Sequence, residues 1–276
     1  MCATCGCSAG AMATMTSPGK EGTTLWKRVG DRSTHRLSPP SASLVRVVDL
    51  EARVLAKNAA LAVKNRAWFA EREILALNFV SSPGAGKTTL LERTIRDLKA
   101  EFPLYVVEGD QATSRDAERI RAAGAPVVQL NTGTGCHLEA DMIARTMREL
   151  VPSPGSLVLI ENVGNLVCPA LFDLGEHTKV VVLSVAEGDD KPLKYPHMFR
   201  AAEVLILNKL DLLPHVDFDI AHAIENARAI NPELTILSLS ARTGEGMEGW
   251  YDWLRRASSL ALWQTPRGIV SSQLTV

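Results

Sequence analysis

Residues 78–94 read NFVSSPGAGKTTLLERT, and how that stretch folds settles the architecture around it. It begins as an apolar strand running into Ser81 and Ser82. Gly84 and Gly86 then permit a tight backbone curve, and Lys87 opens a run of helix formers. A glycine-rich turn between a buried strand and a helix aligns successive N–H groups with the positive end of that helix, so the turn is suited to phosphates. Lys87 would reach the β and γ phosphates, and the Thr88 hydroxyl would ligate Mg²⁺. The candidate phosphate-binding residues are Gly84, Ala85, Gly86, Lys87, Thr88 and Thr89. The usual pattern G-x-x-x-x-G-K-[ST] begins with glycine, and here Ser81 holds that place.

Outward from this loop the chain alternates. LYVVEGD, PVVQLN, SLVLIENVG, KVVVLSV, VLILNKLD and TILSLSA read as strands. SRDAERIRAAG, LEADMIARTMREL, DIAHAIENARAI and MEGWYDWLRRAS read as amphipathic helices. Strands this apolar, separated by helices, predict a mostly parallel sheet covered on both faces. The sequence looks like a P-loop NTPase of the α/β class. Upstream, residues 44 to 72 contain neither glycine nor proline and carry apolar residues at helical spacing, which predicts one or two helices. Residues 1–43 have linker composition, with TSPGKEGTT and LSPPSAS, and read as a flexible metal-binding tail. The expected organisation is that tail, a P-loop domain with N-terminal helices over 44–263, and a frayed end over 264–276.

LILNKLDLL ends a late strand, and its Asn208, Lys209 and Asp211 match the N-K-x-D pattern of GTPases. A carboxylate at Asp211 accepts from guanine N1–H and the 2-amino group, donors that adenine lacks at that edge. Downstream, Ser240 and Ala241 match the S-A loop that closes over the base. Two acidic strand ends supply Glu108 with Asp110, and Glu161. Such carboxylates suit Mg²⁺, which takes hard oxygen ligands. Asp110 is the candidate nearest the γ-phosphate, and the catalytic set is Lys87, Asp110 and Glu161. The sequence offers no evident glutamine or arginine to orient a water, so slow intrinsic hydrolysis is expected.

The chain has 276 residues, of which 46% are hydrophobic, and a net charge of −1. That suffices for one good-sized core and gives no field that would attract nucleic acid or an anionic membrane. No apolar stretch approaches membrane-spanning length and no secretory signal is evident, so a cytoplasmic protein with reduced thiols is expected. The five cysteines then suggest metal or catalysis. NTGTGCHLEADMI carries Cys136 and His137, and ENVGNLVCPALFD carries Cys168, 7 residues beyond Glu161. Two thiolates and an imidazole suit Zn²⁺ or Ni²⁺ equally.

Together SSPGAGKTT, EGDQ, NTGTGCHL, ENVGNLVCP, GDDKPLKYP and LNKLD resemble the hydrogenase nickel-incorporation GTPases (the HypB family of nickel-handling P-loop GTPases). The resemblance runs from about Leu44 to Arg256. It implies a GTP-promoted homodimer with a metal site matching Cys136, His137 and Cys168. It also implies delivery of Ni²⁺ to the hydrogenase large subunit precursor, alongside a small zinc-containing metallochaperone. The opening CATCGC matches a tail that some members use for nickel, with Cys2, Cys5 and Cys7 as thiolates; from the chemistry alone Zn²⁺ suits that tail as well. The histidine-rich tract of some members has no counterpart here. The competing readings are a urease-type nickel GTPase, a regulatory GTPase with a structural zinc, and an ATPase carrying an iron–sulfur tail.

Overall fold

The computed structural model describes residues 42–110, 115–133 and 135–261. The chain divides into two units, Met1–Val54 and Leu55–Val276; the second carries the sheet and the sites described below. Seven strands form one sheet: β1 Leu75–Ser81, β2 Leu104–Asp110, β3 Val127–Asn131, β4 Leu157–Glu161, β5 Thr178–Ser184, β6 Val204–Asn208 and β7 Thr235–Ser238. Their order is β3-β2-β4-β1-β5-β6-β7, with every neighbouring pair parallel. Between them lie α2 Lys87–Leu98, α3 Arg115–Ala123, α4 Ala140–Leu150, α5 Cys168–Leu171, α6 Lys191–Lys194, α7 Pro196–Ala201 and α8 Ile220–Ile230. α1 Ala42–Ala70 precedes them and α9 Met247–Ala261 follows.

The period-2 alternation along each strand sorts the core into two layers. Leu77, Phe79, Val106, Leu159, Val182 and Ile206 face one side and pack on Leu91 and Ile95 of α2, Ile120 of α3, and Trp250 and Leu254 of α9. On the other side, Ala76, Val107, Val158 and Ile160 meet Phe69 of α1 with Ile143 and Met147 of α4. Val181, Leu183, Leu205 and Leu207 meet Phe199 of α7 and Ala227 of α8. The Trp250 indole N–H, fully buried, donates to Thr94 Oγ1 at 3.0 Å, so its polar atom enters the core satisfied.

The glycine- and proline-free run before β1 forms one unbroken helix, α1. The short helices α5, α6 and α7 have no counterpart in the sequence reading. They run four to six residues, too short for a 3.6-residue period to show, and each has a proline in its first positions, where a fixed φ favours a helix start. β1 is central, and its neighbours β4 and β5 are reached by connections running opposite ways. The carboxyl ends of β1, β2, β4 and β6 therefore open a crevice at a topological switch point.

Candidate nucleotide cleft and thiol cluster

That crevice is a cleft of about 490 Å³ walled by Gly84, Gly86, Lys87, Thr88, Thr89, Glu108, Asp116, Arg119, Glu161, Asn162 and Lys209 among others. Gly86 precedes α2 with φ 98°, and a Cβ there would lie 2.6 Å from Asn208 Nδ2. The position thus demands glycine for its backbone conformation and for the close approach of β6. Asn208 fixes that approach. Its Nδ2 donates to the Ala85 carbonyl at 2.9 Å, while its Oδ1 accepts from the N–H of Lys209 at 2.8 Å and of Ala241 at 3.1 Å. Lys209, itself at φ 67°, lies along the loop and donates to the Gly84 carbonyl at 2.6 Å. One asparagine thus joins the glycine-rich turn to the 208–211 and 240–241 segments. Asp211 Oδ1 accepts from the Ser240 hydroxyl at 2.6 Å, with Arg242 3.8 Å from Oδ2.

Lys87 is 7% exposed and donates to Ser81 Oγ at 2.8 Å. Ser81, which stands where the usual pattern has glycine, therefore receives the ammonium. Burial draws the Lys87 pKa down, against the nearby carboxylates of Glu161, Asp116, Glu187 and Glu108, which raise it. Thr88 Oγ1 donates to Glu161 Oε1 at 2.8 Å. Burial pushes Glu161 up, opposed by Lys87 and the Thr88 bond. Its Oε2 is buried with no hydrogen-bond partner. A hydroxyl and a carboxylate with an unpartnered oxygen form a hard donor set, which fits Mg²⁺. Asp110 closes β2, and its side chain lies outside the described residues, as do Cys2, Cys5 and Cys7.

Among the cleft residues that the sequence reading missed are Asp116 and Arg119, both on α3. Arg119 donates to Thr89 Oγ1 at 3.1 Å, to Glu92 at 2.7 Å and to Asp116 at 3.2 Å. A guanidinium thus stands in the cleft wall where no arginine was anticipated. An Asp-x-x-Arg pair on a polar helix resembles any surface ion pair, so the sequence carried no distinguishing signal.

Cys136, His137 and Cys168 come together. The two sulfurs are 3.0 Å apart, Cys136 Sγ is 3.6 Å from His137 Nδ1, and one ligand atom from each of the three lies within 4.8 Å of the others. Both cysteines are free thiols. The His137 ring stacks on Phe172 with centroids 3.8 Å apart, and burial lowers its pKa, which favours the neutral imidazole that binds metal. Cys168, 2% exposed, opens α5 rather than lying in a loop.

α1 frames this cluster through two buried asparagines. Asn58 accepts from the Ala140 N–H at 2.8 Å and donates to the Asp173 carbonyl at 2.7 Å. Asn65 donates to the carbonyls of Ala140 at 2.8 Å and Leu174 at 2.9 Å. These bonds tie the segment that follows Cys136 and His137 to the segment that follows Cys168. Lys179 Nζ adds a bond to the Pro169 carbonyl at 3.0 Å. Such outer partners fix ligand geometry before any ion arrives.

The profile of the CobW/HypB/UreG nucleotide-binding domain matches residues 75–238. A hydrogenase maturation factor HypB from Rhizobium leguminosarum is 59% identical over 215 residues, covering 78% of this chain and 72% of its own. The crystal structure of the hydrogenase maturation factor HypB from Archaeoglobus fulgidus superposes with a TM-score of 0.69 at 40% identity, over 74% of this chain and 99% of that one. HypB from Helicobacter pylori in complex with nickel gives 0.70 at 38% identity, over 77% of this chain and 100% of that one. Matched by the profile from the first strand to the last, and by these relatives over most of both chains, the chain belongs to the CobW/HypB/UreG family, among its HypB members.

Proposed function

We infer that the protein is a cytoplasmic, GTP-hydrolysing nickel metallochaperone that delivers Ni²⁺ during maturation of a nickel–iron hydrogenase. One observation carries this reading. The segment from Glu161 to Cys168 begins at the Thr88 hydroxyl in the cleft and ends at a thiol 3.0 Å from Cys136. A site that reads phosphate and a site that holds soft metal are seven residues apart. The similarity to hydrogenase maturation factors, one of them solved with nickel, supports nickel as the cargo.

In this reading the phosphates lie in the Gly84–Thr89 cradle and draw Lys87 away from Ser81. Mg²⁺ supplies charge stabilisation for phosphoryl transfer, held by Thr88 with Glu161 and Asp110. Asp211 recognises guanine and Ser240 and Ala241 close over it. Cys136, His137 and Cys168 hold Ni²⁺ or Zn²⁺ in three positions, and a second subunit or water completes the set. A GTP-promoted homodimer would bring two such clusters face to face. The tail thiols Cys2, Cys5 and Cys7 form a separate nickel or zinc site. A small nickel/zinc metallochaperone and the hydrogenase large subunit precursor are the partners, with neither nucleic acid nor membrane involved. Among the described residues no helix is long and apolar enough to cross a membrane.

The test is made on the full chain with Cys2, Cys5 and Cys7 replaced by serine. We expect phosphate release from GTP well above that from ATP, and one exchangeable Ni²⁺ per chain in competition with a chromophoric chelator. Cys168→Ala should weaken that site by about 100-fold or more and leave GTP affinity in place. Equal turnover of ATP, or a zinc ion that never exchanges, would favour a different NTPase or a regulatory GTPase instead.

A further inference from the structure

We propose that Asn162 is the positioning residue through which the nucleotide cleft and the Cys136–His137–Cys168 cluster bias each other. The proposal rests on the reading of those two sites given above. Asn162 is 1% exposed and follows Glu161 directly. Its Oδ1 accepts from the N–H of Leu138 at 3.2 Å and of Val163 at 3.0 Å, and its Nδ2 donates to Asn78 Oδ1 at 3.2 Å. Leu138 is the residue after His137. One side chain in the cleft wall is therefore bonded to the backbone beside two of the three metal ligands.

The surroundings decide which way strain travels. The downstream ends of both ligand segments are pinned by Asn58, Asn65 and Lys179 at Ala140, Pro169, Asp173 and Leu174. The upstream end, Asn162 to Val167, is held to the cleft instead. Gly164 packs so closely on Pro83 of the phosphate loop that a Cβ there would lie 3.0 Å from it. If Glu161 exchanges Thr88 for a metal–phosphate partner, the pull passes to the 161–162 peptide, whose N–H donates to the Phe79 carbonyl at 3.0 Å, and a shift there reaches Asn162. Asn162 then either carries Leu138 along or abandons it. Abandoning it would orphan a buried N–H, so the amide of Leu138 follows. Cys136 and His137 are displaced relative to Cys168, and ligand spacing depends on nucleotide. Linkage requires the reciprocal effect of metal on nucleotide.

Asn165 is the natural control. It donates to the Cys136 carbonyl at 3.4 Å and caps Val167 at 2.8 Å, but does not line the cleft. The experiment measures Ni²⁺ affinity of the full chain, with Cys2, Cys5 and Cys7 as serine, in the GDP state and in a non-hydrolysable GTP-analogue state with Mg²⁺. In the parent we expect affinities differing by about 5–150-fold. Asn162→Ala should bring that ratio to within about twofold of unity while nickel and nucleotide each still bind, the range of a coupling energy reduced to nearly nothing. Asn165→Ala should weaken nickel equally in both states and keep the ratio. A ratio unchanged by Asn162→Ala overturns the proposal and spares the two-site reading. A ratio of one in the parent overturns that reading and the proposal with it. Should Asn162→Ala fail to fold, amide exchange at Leu138 in the parent decides. Protection that differs between the two nucleotide states supports the proposal, and identical protection overturns it.

Discussion

The nucleotide cleft and the thiol cluster stand at the two ends of one short segment, and they are prepared in opposite ways. In the cleft the functional side chains already have partners: Lys87 on Ser81, Thr88 on Glu161, Lys209 on Gly84, Asn208 on Ala85 and Asp211 on Ser240. A nucleotide would replace some of these bonds with others of the same kind. Around the cluster the bonding is in the backbone, through the asparagines of α1 and Asn162 just past β4, while the candidate ligand atoms face one another. On the proposed reading, two sulfurs 3.0 Å apart await a cation rather than an exchange of donors. The cleft is an exchange site, tolerant of small shifts. The cluster is a completion site, sensitive to the frame that sets its spacing.

The largest expected effect tests the exchange end. Asp211 should accept two donors from guanine, each charge-assisted and worth about 1.5–3 kcal/mol. Asp211→Asn turns one acceptor into a donor facing a donor. GTP affinity should fall by about 1,000-fold, with xanthosine triphosphate gaining. Nickel affinity of the cluster should not change in the nucleotide-free protein. Fluorescent-nucleotide titration checks the first part, and undiminished GTP binding would remove the basis for guanine specificity.

A smaller effect tests the completion end. Asn65→Ala deprives the Ala140 and Leu174 carbonyls of their shared donor. The Ala140 carbonyl keeps its bond within α4 while that of Leu174 loses this donor, and one lost buried bond costs about 1–3 kcal/mol, so urea unfolding should show a loss of about that size. Nickel affinity should drop about 10-fold, as for an outer-partner loss, by the same factor in both nucleotide states. A drop confined to one state would mean that α1 takes part in coupling, and the division of labour between Asn65 and Asn162 would be wrong.

The same contrast governs what the sequence revealed. The cleft is legible because its parts are contiguous: Gly84 to Thr89 lie on one turn, and Asn208, Lys209 and Asp211 on another, each with a spacing dictated by one ligand. The cluster is half legible. Cys136 and Cys168 are 32 residues apart, and it was their rarity, their chemistry and the family resemblance that suggested they meet. The frame was illegible. Asn58 and Asn65 read as polar residues on an amphipathic helix, and nothing in their spacing says that they reach carbonyls more than a hundred residues away. Asn162 and Arg119 escaped for the same reason, because a buried amide or an ion pair acquires its meaning from tertiary neighbours. The alternation of β and α elements was legible because burial on both faces forces apolar strands. The one-turn helices were not, since four residues carry no period.

The smallest expected effect returns to the junction, at Glu161. Burial raises its pKa above the ordinary value of 4.5. The folded carboxyl therefore holds its proton more tightly than the unfolded one. Stability contributed by that proton is fully present below the ordinary value and is lost as pH rises through the raised folded value. Above the ordinary value the buried carboxyl therefore costs stability, whether it ionises in the fold or holds its proton there, and Lys87 and the Thr88 hydroxyl offset part of that cost. Glutamine has the same shape, accepts from Thr88 through its Oε1, and does not titrate. Glu161→Gln should raise Tm at pH 7–8 by a few degrees, at about 2–4 °C per kcal/mol for a domain of this size. The attraction it forfeits to Lys87 keeps that gain small. The difference should shrink as pH falls towards 4.5, where both side chains are neutral. With Mg²⁺ and GTP added the order should reverse, because the carboxylate that burdens the empty protein would be the one that holds the cation. A Tm difference that ignores pH would show that burying this carboxyl carries no titration-linked cost. A stability order that Mg²⁺ and GTP leave unchanged would take Glu161 out of the metal position, and with it the first link of the path from cleft to thiols.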